Sequence, residues 1–278
     1  MFGSTTLLPF TPITTNLAIG TPAPAGWQRI NELPLVILVG VTGVGKSTLL
    51  AEFSKHLSSF LLLPDRRQLT DQLIISYMQA LDGVPIAPVT DRSQRFAYTR
   101  RYREQYPGGM AHALAQLWIS NEAPTNLLVF DGLRGDNEVA YAADALPQAR
   151  FVMLDAPDVV RVQRLLQRGD VFDHINLTTS TNIGANAASF ASLGVPEAAT
   201  IFTAAAEQML FSAVQQGIVS SDELRAKLQI VIEERRSYDP AATLAALQTH
   251  APERTLYLDT VTHSPDAVAA QTIAWLNL

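Results

Sequence analysis

The sequence predicts an α/β fold in three layers, a parallel five-stranded sheet covered by helices on both faces. Three observations predict it. Five apolar runs bounded by turn residues recur at 35–40, 60–65, 126–132, 150–157 and 255–260, and a run without polar alternation reads as a strand buried on both faces. Helix-like stretches separate the runs, which implies right-handed crossovers and parallel pairing. Three runs end on an acid (Asp65, Asp131 and Asp155), at the carboxyl edge where open α/β sheets bind ligands.

Composition narrows the classes further. A chain of 278 residues with 47% hydrophobic content buries a full core. A net charge of −6 argues against nucleic acid or an anionic membrane as a default partner. With no cysteine, disulfides, thiolate catalysis and cysteine-based zinc sites are excluded. The histidines at 56, 112, 174, 250 and 263 share no metal-ligand spacing.

Residues 1–32 carry no basic residue before Arg29 and are broken by Pro9, Pro12, Pro22 and Pro24. That excludes a secretory signal, which needs a basic start and an unbroken apolar run. No apolar run approaches the ~20 residues of a membrane span. The expectation is an extended N-terminal arm on a cytoplasmic protein, with one domain over 33–278.

The first strand, "LVILVG", runs into Gly40-Val41-Thr42-Gly43-Val44-Gly45-Lys46-Ser47, followed by Thr48. This is G-x-x-x-x-G-K-[ST] in its required context, strand before and helix after. The glycines let successive backbone N–H groups converge as an anion nest. The helix from Lys46 to about Ser58 points its N-terminal dipole at the same anion. Lys46 supplies a mobile positive charge, and the Ser47 hydroxyl is a Mg²⁺ ligand. Gly40, Gly43, Val44, Gly45, Lys46, Ser47 and Thr48 therefore form a P-loop for a nucleoside triphosphate.

The second run ends in "PDRR". Asp65 is a candidate metal-side carboxylate or a base toward an acceptor, beside Arg66 and Arg67. Two or three helices are expected within 68–120. Among them "DRSQRFAYTRRYREQYPGG" places Tyr98, Tyr102 and Tyr106 at i, i+4, i+8, the spacing of a packed stripe. Its Arg92, Arg95 and Arg103 are candidates to hold an anionic acceptor. Arginines with aromatics also grip single-stranded nucleic acid, a reading that the acidic balance opposes.

The third run, "NLLVFDG", ends on Asp131, the carboxylate a P-loop needs beside the metal's water shell. A helix is expected over 136–145. After the fourth run comes a helix over 157–168, with Arg161, Arg164 and Arg168 on one face. Residues 169–224 contain no Lys or Arg and read as an insertion or lid. Within it a helix is expected between Pro196 and Gly217. Further helices precede the last strand.

These motifs together resemble the nucleoside monophosphate kinases, adenylate kinase in particular. "NLLVFDGLRG" is similar to that family's strand ending in Asp-Gly-Phe-Pro-Arg, and "RFVMLDAPDVVRVQRLLQR" to its next strand and arginine-bearing helix. "ELRAKLQIVIEERRSYDPAATLAAL" with "RTLYLDT" is similar, more loosely, to its last third. The resemblance implies that Lys46 and Ser47 contact phosphate and Mg²⁺. It implies that Arg164 stacks on the base and Arg168 reaches the transferred phosphate. It also implies that Arg225 and Lys227 contact phosphates and that Arg134 stands on the acceptor side. The family's acceptor signature, Thr-Gly-Asp-Met-Leu-Arg, is replaced by "LPDRRQLTDQLI".

The expected whole is a P-loop NTPase fold with strand order 2-3-1-4-5 and a helical lid. Its expected activity is ATP- and Mg²⁺-dependent phosphoryl transfer to a small, anionic acceptor such as a nucleotide or phosphorylated metabolite. Lys46, Asp131, Arg168 and Asp65 are the candidate catalytic residues, and Arg66, Arg67, Arg92, Arg95, Arg103 and Arg134 would hold the acceptor. A P-loop ATPase switch and a polynucleotide or toxin-type kinase remain open alternatives.

Overall fold

In the computed structural model, the described residues are 9–123, 127–167 and 188–278. The chain opens with three short strands, β1 (Thr11–Thr14), β2 (Leu17–Ile19) and β3 (Trp27–Arg29). With β6 (Trp118–Ser120) they form an antiparallel sheet in the order β1-β2-β6-β3. From Thr11, then, the segment expected as an arm is ordered against the rest of the chain. The cause is the apolar triplet of β2, all of it buried, with Leu17 opposite Ile119 in the ladder. Trp118 closes this sheet: its Nε1 donates to the Gly20 carbonyl at 2.8 Å, and the Arg29 guanidinium lies 4.3 Å from its ring centre. A three-residue strand leaves too little periodicity to be read from sequence, so β6 was hidden within the stretch expected as helical.

The larger sheet is parallel throughout. Its centre is β4 (Leu35–Val39), buried along its whole length. β7 (Leu128–Leu133) and β8 (Ala149–Asp155) flank it, with β5 (Leu61–Leu62) and β9 (Thr255–Asp259) at the edges. The order β5-β7-β4-β8-β9 is 2-3-1-4-5 counted from the P-loop strand, as expected. Strand alternation assigns the two faces. Leu35, Ile37 and Val39 pack under α5 (Gly109–Leu114), α6 (Asp136–Ala145) and α10 (Pro240–His250). Val36 and Leu38 pack under α1 (Lys46–His56) and α11 (Pro265–Leu276).

The region 66–105 is more broken than expected. It contains α2 (Arg66–Leu69), a π-helical stretch at Thr70–Ile75, α3 (Ser76–Leu81) and α4 (Arg92–Gln105). The tyrosine stripe of α4 faces inward. Tyr102 is buried, the Tyr77 and Tyr106 hydroxyls lie 2.8 Å apart, and the Tyr106 ring stacks on His112 at 4.1 Å. Tyr98 and Tyr106, partly buried, pack with Tyr102 against the main hydrophobic core.

A third hydrophobic cluster lies on the C-terminal side. It joins α7 (Asp158–Leu166) to Phe190, Leu193 and Phe202, to α8 (Ala204–Gln215) and to α9 (Ser221–Ser237). The helix expected to start at Pro196 is instead a 3₁₀ turn over Pro196–Thr200. It is restarted at Thr203, whose side chain caps α8 by accepting from the Ala206 N–H. Thr and Ser favour such caps over continuing a helix.

Because Leu17 is 2% exposed, Leu17→Ala should cost about 2–4 kcal/mol in urea unfolding. A detached arm would leave the midpoint unchanged. A second expectation concerns pH. Burial pushes the His112 imidazole below its ordinary value, so the folded state resists a proton that the unfolded chain accepts near pH ~6.5. Stability should be full above that pH and fall as pH drops below it, and His112→Gln should flatten this part of the profile.

Candidate functional site

The site begins where β4 ends. Gly40 turns with φ +139°, and a Cβ there would meet the Leu154 carbonyl at 2.6 Å. Gly43, at φ +88°, lies so close to α7 that a Cβ would sit 3.1 Å from that of Arg161. Only glycine permits both the turn and the approach. Gly45, again left-handed, precedes α1, so the loop delivers the helix N-terminus to the mouth of the sheet. Val44 is buried beneath the loop, whereas Ser47 and Thr48 are exposed on the first turn.

Lys46 lies back along the loop. Its Nζ donates to the Gly40 and Val41 carbonyls at 2.8 and 3.0 Å and stands 3.6 Å from Asp131 Oδ1. Burial pushes its pKa down, and the Asp131 charge pulls it partly back. Asp131 Oδ1 is buried without a hydrogen-bond partner. An orphaned carboxylate oxygen beside Ser47 and Lys46 suits the water shell of a divalent cation.

Two clefts meet at Gly45. One, of about 270 Å³, is lined by Thr48, Leu49, Arg164, Thr260, His263 and Pro265 among others. The other, of about 410 Å³, brings together Thr42, Lys46, Ser47, Asp65, Arg66, Arg67, Asp131 and Arg134. Residues from the ends of three neighbouring strands thus converge on one side of the loop.

The individual side chains are more committed than their sequence positions suggested. Asp65 caps α2, accepting from the Gln68 N–H at 2.8 Å in a capping box, while still lining the larger cleft. Arg66 makes a two-pronged ion pair with Glu138 at 2.6 and 2.7 Å and donates to the Gly132 carbonyl at 2.6 Å. Arg67 is exposed in the same cleft. Arg164 donates to the Gly43 carbonyl at 3.2 Å and to the hydroxyl and carbonyl of Thr260 at 2.9 and 2.8 Å. It therefore fastens the loop to the end of β9 while lining the smaller cleft.

Other expected site residues stand elsewhere. Arg95 pairs with Asp71 and donates to the Val89 carbonyl at 3.0 Å, which ties α4 to the π-helical stretch. Arg103 is exposed against Gly109. Arg225 lies beside Gly194 and Lys227 is buried. None of these four lines either cleft. The Arg92 side chain and Arg168 lie outside the described residues.

The residue that sequence reasoning missed is Glu234 on α9. Its carboxylate accepts from the Thr42 N–H at 3.1 Å to each oxygen, from the Thr42 hydroxyl at 2.6 Å and from Arg134 at 2.8 Å. It also pairs with Arg161. Arg161, 1% exposed, further donates to the Thr42 carbonyl at 2.8 Å and to Asp158 at 2.6 Å. In "IEERRS" Glu234 looks like one charge of a solvated helix face. No local signal separates it from Glu233.

With this geometry in view, comparison with known proteins is informative about family. Residues 36–176, just over half of the chain, match the model of a family described as AAA domain. The chain belongs to the AAA domain family. The match spans the P-loop, the Asp131 strand and α7, and it bears out a P-loop, kinase-like domain. No curated protein matches this AAA domain protein. Among solved structures it overlaps a sugar kinase from Janibacter sp. HTCC2649 at 14% identity, covering 88% of this chain and 95% of that one, with TM-score 0.35. TT1252 from Thermus thermophilus overlaps at 16% identity, 88% and 98% coverage and TM-score 0.42. A shikimate kinase from Bacteroides thetaiotaomicron overlaps at 14%, 88% and 98%, with TM-score 0.34. Overlaps of that degree carry no assignment of substrate. Among the described residues, no helix is long and apolar enough to cross a membrane.

The Arg66–Glu138 pair is mostly buried, with side chains 23% and 8% exposed. Glu138→Ala should therefore destabilise the AAA domain protein by about 3 kcal/mol, since it leaves a guanidinium without its counter-charge. Replacing both partners by leucine should recover much of that loss. Urea midpoints of the single and double variants test this.

Proposed function

We propose that the protein transfers the terminal phosphoryl group of ATP to a small acceptor. One observation carries the reading: the phosphate loop opens on two sides at once. The smaller cleft, under Arg164, Thr260 and His263, offers room for base and sugar. The larger one joins Lys46 and Ser47 to Asp65, Arg67 and Arg134. A switch ATPase needs only a water there, whereas a kinase needs a second substrate in line with the phosphates.

Within this reading the loop amides and Lys46 bind the phosphates, Lys46 exchanging its bonds to Gly40 and Val41 for phosphate oxygens. Ser47 and Asp131 would hold Mg²⁺, which neutralises charge on the phosphates when bound. Asp65 is the candidate to accept the acceptor's hydroxyl proton, because it faces the cleft from the end of the second strand. Arg66, Arg67 and Arg134 favour an anionic group, Arg66 and Arg134 answering first to their glutamates. Arg164 contacts the base and Arg168 the moving phosphate, by resemblance to the nucleoside monophosphate kinases. Residues 169–224, of which 169–187 lie outside the described residues, are proposed as the cover over the site, and the packing of Phe190, Leu193, Phe202 and α8 supports a role in excluding water during transfer. Such work is mostly positioning and charge stabilisation.

Two expectations follow. Lys46→Ala should weaken Mg·ATP binding by about 1.5–3 kcal/mol, roughly ten- to a hundredfold, and abolish turnover in a folded protein. Isothermal titration showing unchanged affinity would sink the P-loop assignment. Arg164→Ala should raise KM for ATP more than it lowers kcat, as loss of a ground-state contact does. The acceptor is found by measuring ATP consumption across nucleosides, nucleoside monophosphates and small phosphorylated metabolites. Hydrolysis unaffected by every acceptor would favour the ATPase reading instead.

A further inference from the structure

Glu234 raises a question that its bonds pose directly. A carboxylate from α9, 192 residues further along the chain, sits on the third residue of the phosphate loop. Around it are a backbone N–H and a hydroxyl, both from Thr42, and the guanidinium groups of Arg134 and Arg161. That set of donors is what binds a tetrahedral oxyanion: converging N–H and O–H groups with two arginines. The site has donor capacity left over, because Arg134 Nε is buried without an acceptor. Thr42 and Arg134 also line the cleft that holds Lys46, Ser47 and Asp131. The carboxylate thus occupies an anion seat at the edge of the phosphate site.

We propose that the Thr42–Arg134–Arg161 cradle is a seat for the nucleotide's terminal phosphate, and that Glu234 is its internal occupant, setting the protein's preference between tri- and diphosphate. This rests on the reading of the loop as an ATP site and adds the residue that reads the third phosphate. Two anions do not share one set of donors at such distances without strong repulsion. ATP therefore has to displace the Glu234 carboxylate from Thr42 and Arg134, whereas ADP, one phosphate shorter, leaves it in place. The displaced carboxylate sits on α9, whose Leu228, Val231 and Ile232 belong to the third hydrophobic cluster. Arrival of the third phosphate is thereby communicated to the helices around α8. Arg161 stays neutralised throughout, since Asp158 remains its partner at 2.6 Å.

The test is titration calorimetry of Mg·ATP and Mg·ADP against the full chain and its Glu234→Gln variant. Glutamine keeps the size and loses the charge. Affinity for ATP should rise at least about tenfold, the effect of removing one charge-assisted contact of about 1.4 kcal/mol, while affinity for ADP changes little. Glu234→Asp keeps the charge for Arg161 but withdraws it by one methylene, and should shift the ATP-to-ADP ratio the same way by a smaller factor. This second variant covers the case in which glutamine unfolds the protein. An unchanged ratio in a folded variant, or an equal change for both nucleotides, overturns the proposal and leaves the ATP site standing. If the parent protein binds neither nucleotide, the ATP site itself falls and this proposal falls with it.

Discussion

A buried arginine that needs counter-charges organises the functional end of this molecule. Arg161 is almost fully excluded from water, and an isolated guanidinium in that position would cost several kcal/mol. Its neutralisation recruits Asp158 from its own helix and Glu234 from α9, while its Nε takes the Thr42 carbonyl. Asp158 in turn accepts from Arg235 at 2.7 Å. The phosphate loop, α7 and α9 are therefore held in one arrangement by a network in which each charge has a partner. Gly43 completes the contact: without a side chain it lets the loop lie directly on the backbone of Arg161.

The sheet supplies the platform on which that network stands. Parallel pairing puts the carboxyl ends of β5, β7, β4 and β8 at one edge. Asp65, Asp131 and the loop consequently meet there, although the two acids stand 66 positions apart in the chain. Helices on both faces leave that edge as the open side of the strands, and the loop divides the opening into two clefts. Thr260 at the end of β9 donates to the Val44 carbonyl at 2.8 Å, which fixes the boundary between them. The architecture thus gives one loop two openings.

Charge pairing also refines the acceptor side. Composition alone offers many arginines around the centre of the chain, all plausible anion contacts. In the fold they divide by burial. Those near the cleft and partly buried, Arg66 and Arg134, are matched by Glu138 and Glu234, because a low-dielectric position enforces pairing. Arg95, further out, is matched by Asp71 and serves to join helices. These guanidinium groups are thus already committed to internal carboxylates within the fold.

The sequence by itself determined the class of fold, the order of the large sheet and the phosphate loop. Each of these rests on local chemistry: unbroken apolar runs, glycines where the backbone turns left-handed, and Lys46-Ser47 at a helix start. Asp131 was legible as an acid in an apolar run, although the strand continues two residues past it to Leu133. What lay beyond local reading was pairing over distance. The first strands gain their meaning only from Trp118 and Ile119, nearly a hundred residues on, and a three-residue strand has no period to detect. The inward stripe of tyrosines on α4 was legible from its spacing, whereas the tertiary structure alone tied Arg95 to Asp71. It alone brought Glu234 onto Thr42. Burial selects which charges must find partners, and burial is a property of the packed chain and not of any segment.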